Sequence, residues 1–68
     1  SDTDRFLKAI RNGTWFSLIK LTEILKIPPD KLEETANTLS QEGLIEYDKS
    51  KKWVKINPEW RTIFTDEE

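Results

Sequence analysis

Residues 29–45 read PDKLEETANTLSQEGLI, and this stretch predicts one helix whose start and end are both visible in the sequence. Pro29 suits the first helical position, because its missing N–H would have no intrahelical acceptor there. Apolar residues recur at spacings of four and three and form one narrow stripe, which comprises Leu32, Ala36 and Leu39. Gly43 supplies the left-handed residue that ends many helices. We therefore predict a helix over 29–42, followed by an extended segment.

Two shorter helices are predicted upstream, over 2–12 and 18–26. Asp2 or Thr3 can cap the first helix, and Ser17 can cap the second. Both helices carry apolar residues at helical spacing, and we predict that these face inward: Phe6, Leu7 and Ile10 in the first helix, and Leu18, Leu21, Ile24 and Leu25 in the second.

The connections on either side of the second helix are short. The segment Thr14-Trp15-Phe16 follows an Asn-Gly turn and consists of β-prone residues, so it predicts a short strand. The sequence Ile27-Pro28-Pro29 ends the second helix, because a residue before proline avoids the α region. Two helices separated by a turn of about three residues are typical of a helix-turn-helix.

A period-two pattern begins after Gly43 and predicts a β-hairpin with one buried face and a polar tip over 49–51. The inward-facing residues of this hairpin are Ile45, Tyr47, Val54 and Ile56. Asn57-Pro58 combines a helix cap with a first-turn proline. It therefore predicts a short closing helix over 59–64, and residues 65–68 are expected to fray.

This order of elements resembles the winged-helix family of helix-turn-helix domains, and the resemblance runs from Arg5 to Phe64. Its most specific parts are Leu39 followed by Gln41-Glu42-Gly43-Leu44-Ile45, and the segment Val54-Lys55-Ile56-Asn57-Pro58. The resemblance implies an α+β, mainly α fold: a three-helix bundle with a small antiparallel β-hairpin wing and a short C-terminal helix. It also implies that Pro29 to Glu42 is the recognition helix and that Ile45 to Ile56 is the wing.

The composition limits what the chain can do. Its 68 residues make one small domain, with an ordered part expected over 3–64, and they include no cysteine and no histidine, which excludes disulfides and the usual zinc sites. No Gly-rich phosphate loop is present either, so we predict no enzyme, no metal and no cofactor. No apolar run approaches the roughly 20 residues of a membrane span. We expect an intracellular protein, cytoplasmic or nuclear, and the Ser-Asp start suggests a fragment of a longer one.

The net charge of −2 conceals a strong segregation of charge along the chain. Residues 23–48 carry seven acidic and two basic groups, whereas residues 49–61 carry five basic groups and one acidic group. Lysines in the hairpin can contact phosphates, or they can protect an exposed sheet edge from pairing with another chain. The nucleic-acid-binding candidates in the third helix, the hairpin and its flank are Lys31, Asn37, Thr38, Gln41, Lys49, Lys51, Lys52, Trp53, Lys55 and Arg61.

The same sequence also permits a protein-interaction module. Three acidic residues fill the first turns of the third helix, where they repel phosphates but complement the helix dipole or can meet a basic partner. Strand alternation turns two tryptophans away from the core. A third tryptophan can cover them as a small apolar cluster, or all three can form a binding patch. The residues of this alternative surface are Asp30, Glu33, Glu34, Trp15, Trp53 and Trp60.

Our leading hypothesis from the sequence is a nucleic-acid-binding module of a transcription or replication protein. The lysines of the wing predict weak binding of DNA, double- or single-stranded, rather than reading of bases by the acidic third helix. Two to four phosphate contacts correspond to a salt slope of roughly −2 to −4. We expect a monomeric domain, because no long apolar helix is left over for dimerisation.

Overall fold

The computed structural model describes residues 1–60, which form three helices, a helical turn and a three-stranded antiparallel sheet. The elements in chain order are α1 (Asp2–Ala9), β1 (Phe16–Ser17), α2 (Leu18–Leu25), α3 (Pro29–Gln41), β2 (Ile45–Asp48) and β3 (Trp53–Ile56). Residues 58–60 are helical, so the predicted closing helix begins at Pro58. Its predicted continuation to Phe64 and the predicted frayed end lie outside the described residues. The prediction of a small α+β domain is confirmed.

The sheet is built around β3, which pairs with β2 on one side and with β1 on the other, in the order β1-β3-β2. Val54 lies opposite Tyr47 on β2 and opposite Phe16 on β1. Because successive side chains of a strand point to opposite faces, Val54 and its two aromatic neighbours share the face that packs against the helices. The residues on either side of Val54 therefore lie on the outer face of the sheet.

The core lies between the three helices and the inner face of the sheet. Its largest fully buried side chains come from α1 and the residue after it, from α3 and from β3, and they are Phe6, Ile10, Leu32, Val54 and Ile56. All side chains that are buried within residues 1–60 are apolar. The predicted stripe of α3 and the predicted inward faces of α1 and the hairpin are therefore confirmed, with Tyr47 only partly buried.

Ile24 corrects the predicted inward face of α2. Leu18, Leu21 and Leu25 are buried as predicted, but Ile24 is 69% exposed. At 3.6 residues per turn, Ile24 lies about 100° around the helix from Leu25, at the flank of the buried stripe. No helix within residues 1–60 is long and apolar enough to cross a membrane.

The ends of α1 and the position of β1 also differ from the predictions. Ser1 caps α1, with its hydroxyl oxygen accepting the Asp4 N–H at 3.3 Å, so the predicted caps Asp2 and Thr3 are wrong. The helix ends at Ala9, and the predicted residues beyond it form a turn. Thr14 belongs to a second turn, since Asn12 Oδ1 accepts from both its N–H and its hydroxyl. The strand consequently begins two residues later than predicted.

The two ends of α3 are close to the predicted positions. Pro29 is its first residue, and Ser17 caps the preceding helix α2 as predicted. Gly43 follows the helix with φ of +81°, a left-handed conformation that other residues adopt only with strain. Asn57 connects this exit to the end of β3, because its side-chain amide donates to the Gly43 carbonyl at 2.9 Å. The Asn57 N–H also donates to the Leu44 carbonyl at 2.9 Å, so the sheet is held against the end of α3.

Candidate nucleic-acid interface

Two tryptophans lie side by side on the outer face of the sheet. Trp53 belongs to β3, opposite Ser17 of β1, and Trp15 directly precedes β1. Their ring centroids are 6.3 Å apart, and the ring planes are inclined by 44°. Trp15 is 43% exposed and Trp53 is 41% exposed. The pair therefore presents indole surface to solvent, as strand alternation predicted for these two residues.

Each of these indole rings lies beneath a lysine. The Lys51 Nζ is 5.0 Å from the Trp53 ring centroid, and the Lys55 Nζ is 5.1 Å from the Trp15 ring centroid. Both distances are within cation–π range, and such contacts contribute about 0.5–1 kcal/mol each at exposed sites. The contacts hold two ammonium groups over the aromatic surface rather than leaving them in bulk solvent.

Helix α2 completes this surface on the β1 side. A groove of about 390 Å³ lies between the tryptophan pair and the outward side of α2, where Lys20, Leu21 and Ile24 line it. Lys20 and Ile24 are four residues apart, so they occupy the same side of the helix. We name the five residues that combine ring surface with positive charge the aromatic–lysine cluster: Trp15, Lys20, Lys51, Trp53 and Lys55.

Lys20 is the member of this cluster that the sequence analysis did not single out. Its four-residue spacing from Ile24 was visible in the sequence. What the spacing does not show is that this side of α2 adjoins Trp53, because that neighbourhood depends on the pairing of β1 with β3.

Strand β2 gives the cluster an acidic boundary. Glu46 lies opposite Lys55, and Asp48 lies opposite Trp53. Asp48 accepts from the Ser50 hydroxyl at 2.8 Å and from the Lys51 N–H at 3.2 Å, and these hydrogen bonds lower the pKa of its carboxyl group. Asp48 thus remains ionised and organises the hairpin turn. An anionic ligand is therefore favoured over β1, β3 and α2, and disfavoured over β2.

The predicted sites Glu33 and Lys52 meet each other across the inner side of the hairpin. The Glu33 carboxylate accepts from the Tyr47 hydroxyl at 2.7 Å and from Lys52 Nζ at 3.1 Å. The hydrogen bond from Tyr47, and then that from Lys52, lower the pKa of Glu33. Burial, and then the Glu33 carboxylate, raise the pKa of Tyr47 to about 12. Glu33 therefore connects α3 to the hairpin, a contact that the helix dipole alone does not explain.

Substitution of Glu33 by glutamine is expected to lower the pKa of Tyr47 from about 12, although not to the ordinary value of 10.0, since burial persists. Tyr47 is the only tyrosine of the chain, so tyrosinate absorbance in the near ultraviolet reports on it alone. Glu34→Gln, which alters the next and more exposed carboxylate, is the matched control. Equal tyrosinate midpoints in Glu33→Gln and in the unmodified protein would contradict this contact.

These pKa shifts also set the pH dependence of stability. The raised pKa of Tyr47 gives a contribution that is present below pH 10 and is lost as the pH rises toward 12. The lowered pKa of Glu33 gives a contribution that is present above its ordinary value of 4.5 and is lost as the pH falls through the lower value. In Glu33→Gln the Glu33 contribution is absent, because glutamine does not titrate, and the Tyr47 contribution is smaller, because burial alone then raises the pKa of Tyr47.

The remaining candidates on α3 do not join the cluster. The Lys31 Nζ lies 3.2 Å from an Asp2 carboxylate oxygen of α1. Lys31, Glu34 and Thr38 line a separate groove of about 410 Å³ between α3 and α1, together with Glu42. That groove mixes both signs of charge. Two other predicted residues of α3, Asp30 and Gln41, are exposed.

Four further candidates have different surroundings. Asn37 is half-buried, and its Oδ1 has no hydrogen-bond partner within residues 1–60. Lys49 is exposed at the start of the hairpin turn. Trp60 is also exposed, and within the described part of the chain its ring contacts neither Trp15 nor Trp53. It therefore does not cover that pair. Arg61 lies outside the described residues.

Comparisons with family models, with curated proteins and with solved structures found no match for this chain. No group of three or more carboxylates within residues 1–60 is arranged to hold a metal ion.

Proposed function

We propose that the chain is a winged helix-turn-helix domain that binds nucleic acid through its hairpin and the outer face of its sheet. The element order α1-β1-α2-α3-β2-β3 supports this arrangement, as does the three-residue connection between α2 and α3. The pairing of the short strand β1 with β3 supports it further, since it places the hairpin beside α2. In this arrangement α3 is the helix in the recognition position, and β2 with β3 forms the wing.

The proposal rests on the ion pairing of the lysines, which differs between the aromatic–lysine cluster and two other candidate lysines. Within the described part of the chain, Lys20, Lys51 and Lys55 form no ion pair, whereas Lys31 and Lys52 are each paired with a carboxylate. A phosphate can therefore approach the first three ammonium groups without displacing an acidic side chain. Most of the affinity of proteins for nucleic acid comes from such phosphate contacts.

The acidic residues of α3 favour contact with nucleic acid through the hairpin rather than through α3 itself. Asp30 and Glu34 are exposed near the start of α3, the end that would meet phosphates on entering a groove. Glu33 is bound to Tyr47 and Lys52, so it holds the hairpin in place. A carboxylate close to a phosphate is repelled, and the repulsion is largest at low salt. The orientation with the cluster toward the ligand avoids this repulsion.

A salt titration tests the proposed function. Three phosphate contacts predict a slope of log affinity against log salt of about −3 for duplex DNA and about −2 for a single strand. We expect chemical-shift changes of the backbone amides to be largest at Lys20, Lys51 and Lys55, with small changes over the acidic start of α3. The absence of binding to either ligand at about 50 mM salt, where electrostatic binding is strong, would refute the proposal. Changes confined to α3 would also refute it.

The exposed Ile24 favours a second candidate function, the docking of an acidic amphipathic peptide. Its side chain lies in the same groove as the tryptophan pair and is 69% exposed, so the groove offers apolar surface beside positive charge. Exposed aromatic and aliphatic side chains that lie together are typical of protein-binding surfaces. Both candidate functions use the same residues. They are distinguished by whether an oligonucleotide or an acidic peptide binds.

A further inference from the structure

We propose that the aromatic–lysine cluster selects single-stranded nucleic acid by stacking unpaired bases on Trp15 and Trp53. Lys20, Lys51 and Lys55 then contact the phosphates that flank those bases. This inference rests on the proposed function, because it names the form of nucleic acid that the same surface binds. It changes the role of the tryptophans from a supporting apolar cluster to the part of the site that recognises bases.

The spacing of the two rings favours unstacked bases. Phosphates of one strand in B-form DNA advance by about 3.4 Å per nucleotide, which is the stacking distance of the bases. The centroids of Trp15 and Trp53 are 6.3 Å apart, and their planes are inclined by 44°. Two neighbouring bases can match these rings only after they have left the stacked arrangement. A flexible single strand can adopt such a spacing, whereas a duplex must first unpair.

A base stacked on an indole ring contributes more binding affinity than a lysine over the same ring. A base stacked on an aromatic side chain contributes about five- to 150-fold in affinity. A cation–π contact at an exposed site corresponds to only about two- to fivefold. Lys51 and Lys55 can therefore leave the rings when a base arrives. Their ammonium groups, which are already close to the rings, then take the flanking phosphates.

Duplex DNA would contact the lysines of this surface but would not stack on its tryptophans. The flat faces of its bases are covered by their neighbours, so the two indoles would contact backbone or groove edges without stacking. The lysines would still meet phosphates. The acidic residues Glu46 and Asp48 on β2 restrict the path of either ligand to the side of β1 and α2. A single strand, which is narrow, fits that restricted path better than a duplex.

The decisive experiment compares three ligands of equal length on the unmodified domain: oligothymidylate, an abasic oligonucleotide and a duplex. The abasic strand retains every phosphate and lacks only the bases. We expect oligothymidylate to bind at least about fivefold more tightly than the abasic strand, the lower limit for one stacked base. We also expect quenching of tryptophan fluorescence with oligothymidylate but little quenching with the abasic strand, in a Trp60→Phe background that leaves only the cluster tryptophans.

Tryptophan variants measure the contribution of base stacking independently of the ligand comparison. Trp15→Leu with Trp53→Leu should abolish the preference for oligothymidylate over the abasic strand, while the salt slope set by the lysines is retained. Trp60→Leu is the matched control, since Trp60 is exposed and outside the cluster. The comparison of ligands on the unmodified protein needs no variant, so it remains decisive if the double variant does not fold.

The outcomes separate this inference from the proposed function. Equal affinities for oligothymidylate, the abasic strand and the duplex, with the expected salt slope, would overturn single-strand selection and leave the proposed function standing. No binding to any of the three at low salt would overturn both. Binding of an acidic amphipathic peptide that depends on Trp15 and Trp53, without binding of any oligonucleotide, would assign the cluster to a protein partner and overturn both as well.

Discussion

Phe6→Ala is expected to lower the free energy of unfolding of the domain by about 3–5 kcal/mol. Phe6 is fully buried and is the largest side chain of the core that is completely enclosed. Truncation of a buried phenylalanine to alanine costs about 3–5 kcal/mol, because apolar contacts are lost and a cavity remains. At the usual stability per residue, a chain of this length has a free energy of unfolding of about 3–10 kcal/mol. The loss therefore amounts to about a third of the whole stability or more.

Urea denaturation followed by far-ultraviolet circular dichroism measures this loss. Ile24→Ala is the matched control, because it also truncates an apolar side chain of a helix, but one that is 69% exposed. We expect its free energy of unfolding to change by no more than about 0.5 kcal/mol. Similar urea midpoints for the two variants would show that Phe6 is not in the position that the structure assigns to it.

Charge reversal in the aromatic–lysine cluster is expected to have the largest effect on binding. Lys51→Glu combined with Lys55→Glu removes two of the three ammonium groups of the cluster, none of which forms an ion pair within residues 1–60, and places two carboxylates beside the phosphates. Two unit charges 4 Å apart in water interact by about 1 kcal/mol, so two lost attractions and two new repulsions amount to about 2–4 kcal/mol. This corresponds to a roughly thirty- to thousandfold loss of affinity at low salt.

The matched control is Lys8→Glu combined with Lys26→Glu, which changes the net charge by the same amount. Both lysines are exposed, and neither lines the groove beside the tryptophans. Fluorescence anisotropy with labelled oligonucleotides at several salt concentrations measures both double variants. If the two lose affinity equally, then net charge rather than the cluster accounts for binding, and the proposed interface is wrong.

The sequence predicted those features whose causes are local. The limits of α3 follow from Pro29 and Gly43, and the buried faces of α3 and the hairpin follow from helical and strand spacing. The exposed positions of Trp15 and Trp53 follow from strand alternation as well. The failures occurred where spacing is compatible with more than one arrangement. Ile24 has helical spacing but lies at the flank of the buried stripe, and the start of α1 has three adjacent residues whose side chains can each cap a helix.

The candidate site was less predictable than the fold. Most of its residues were singled out as basic or aromatic, but their grouping was not. Lys51 and Lys52 are adjacent in the sequence, yet one lies over Trp53 and the other is paired with Glu33 of α3. A charge count assigns both to one basic turn. Lys52 has φ of +59°, and this local turn of the backbone accompanies the separation of the two side chains.

By itself the sequence determined the helices, the hairpin and the segregation of charge, because these depend on residues within a few positions of one another. The tertiary structure determined which of those residues act together. The antiparallel pairing of Ser17 with Trp53 brings β1 beside β3, and so places Trp15 and Lys20 next to residues more than 30 positions away in the chain. Such pairing depends on how the core closes around Val54 and Phe16, and no local pattern encodes it. The stretch from Pro29 to Ile45 thus determines the scaffold, and the closure of the sheet forms the surface that we propose to bind nucleic acid.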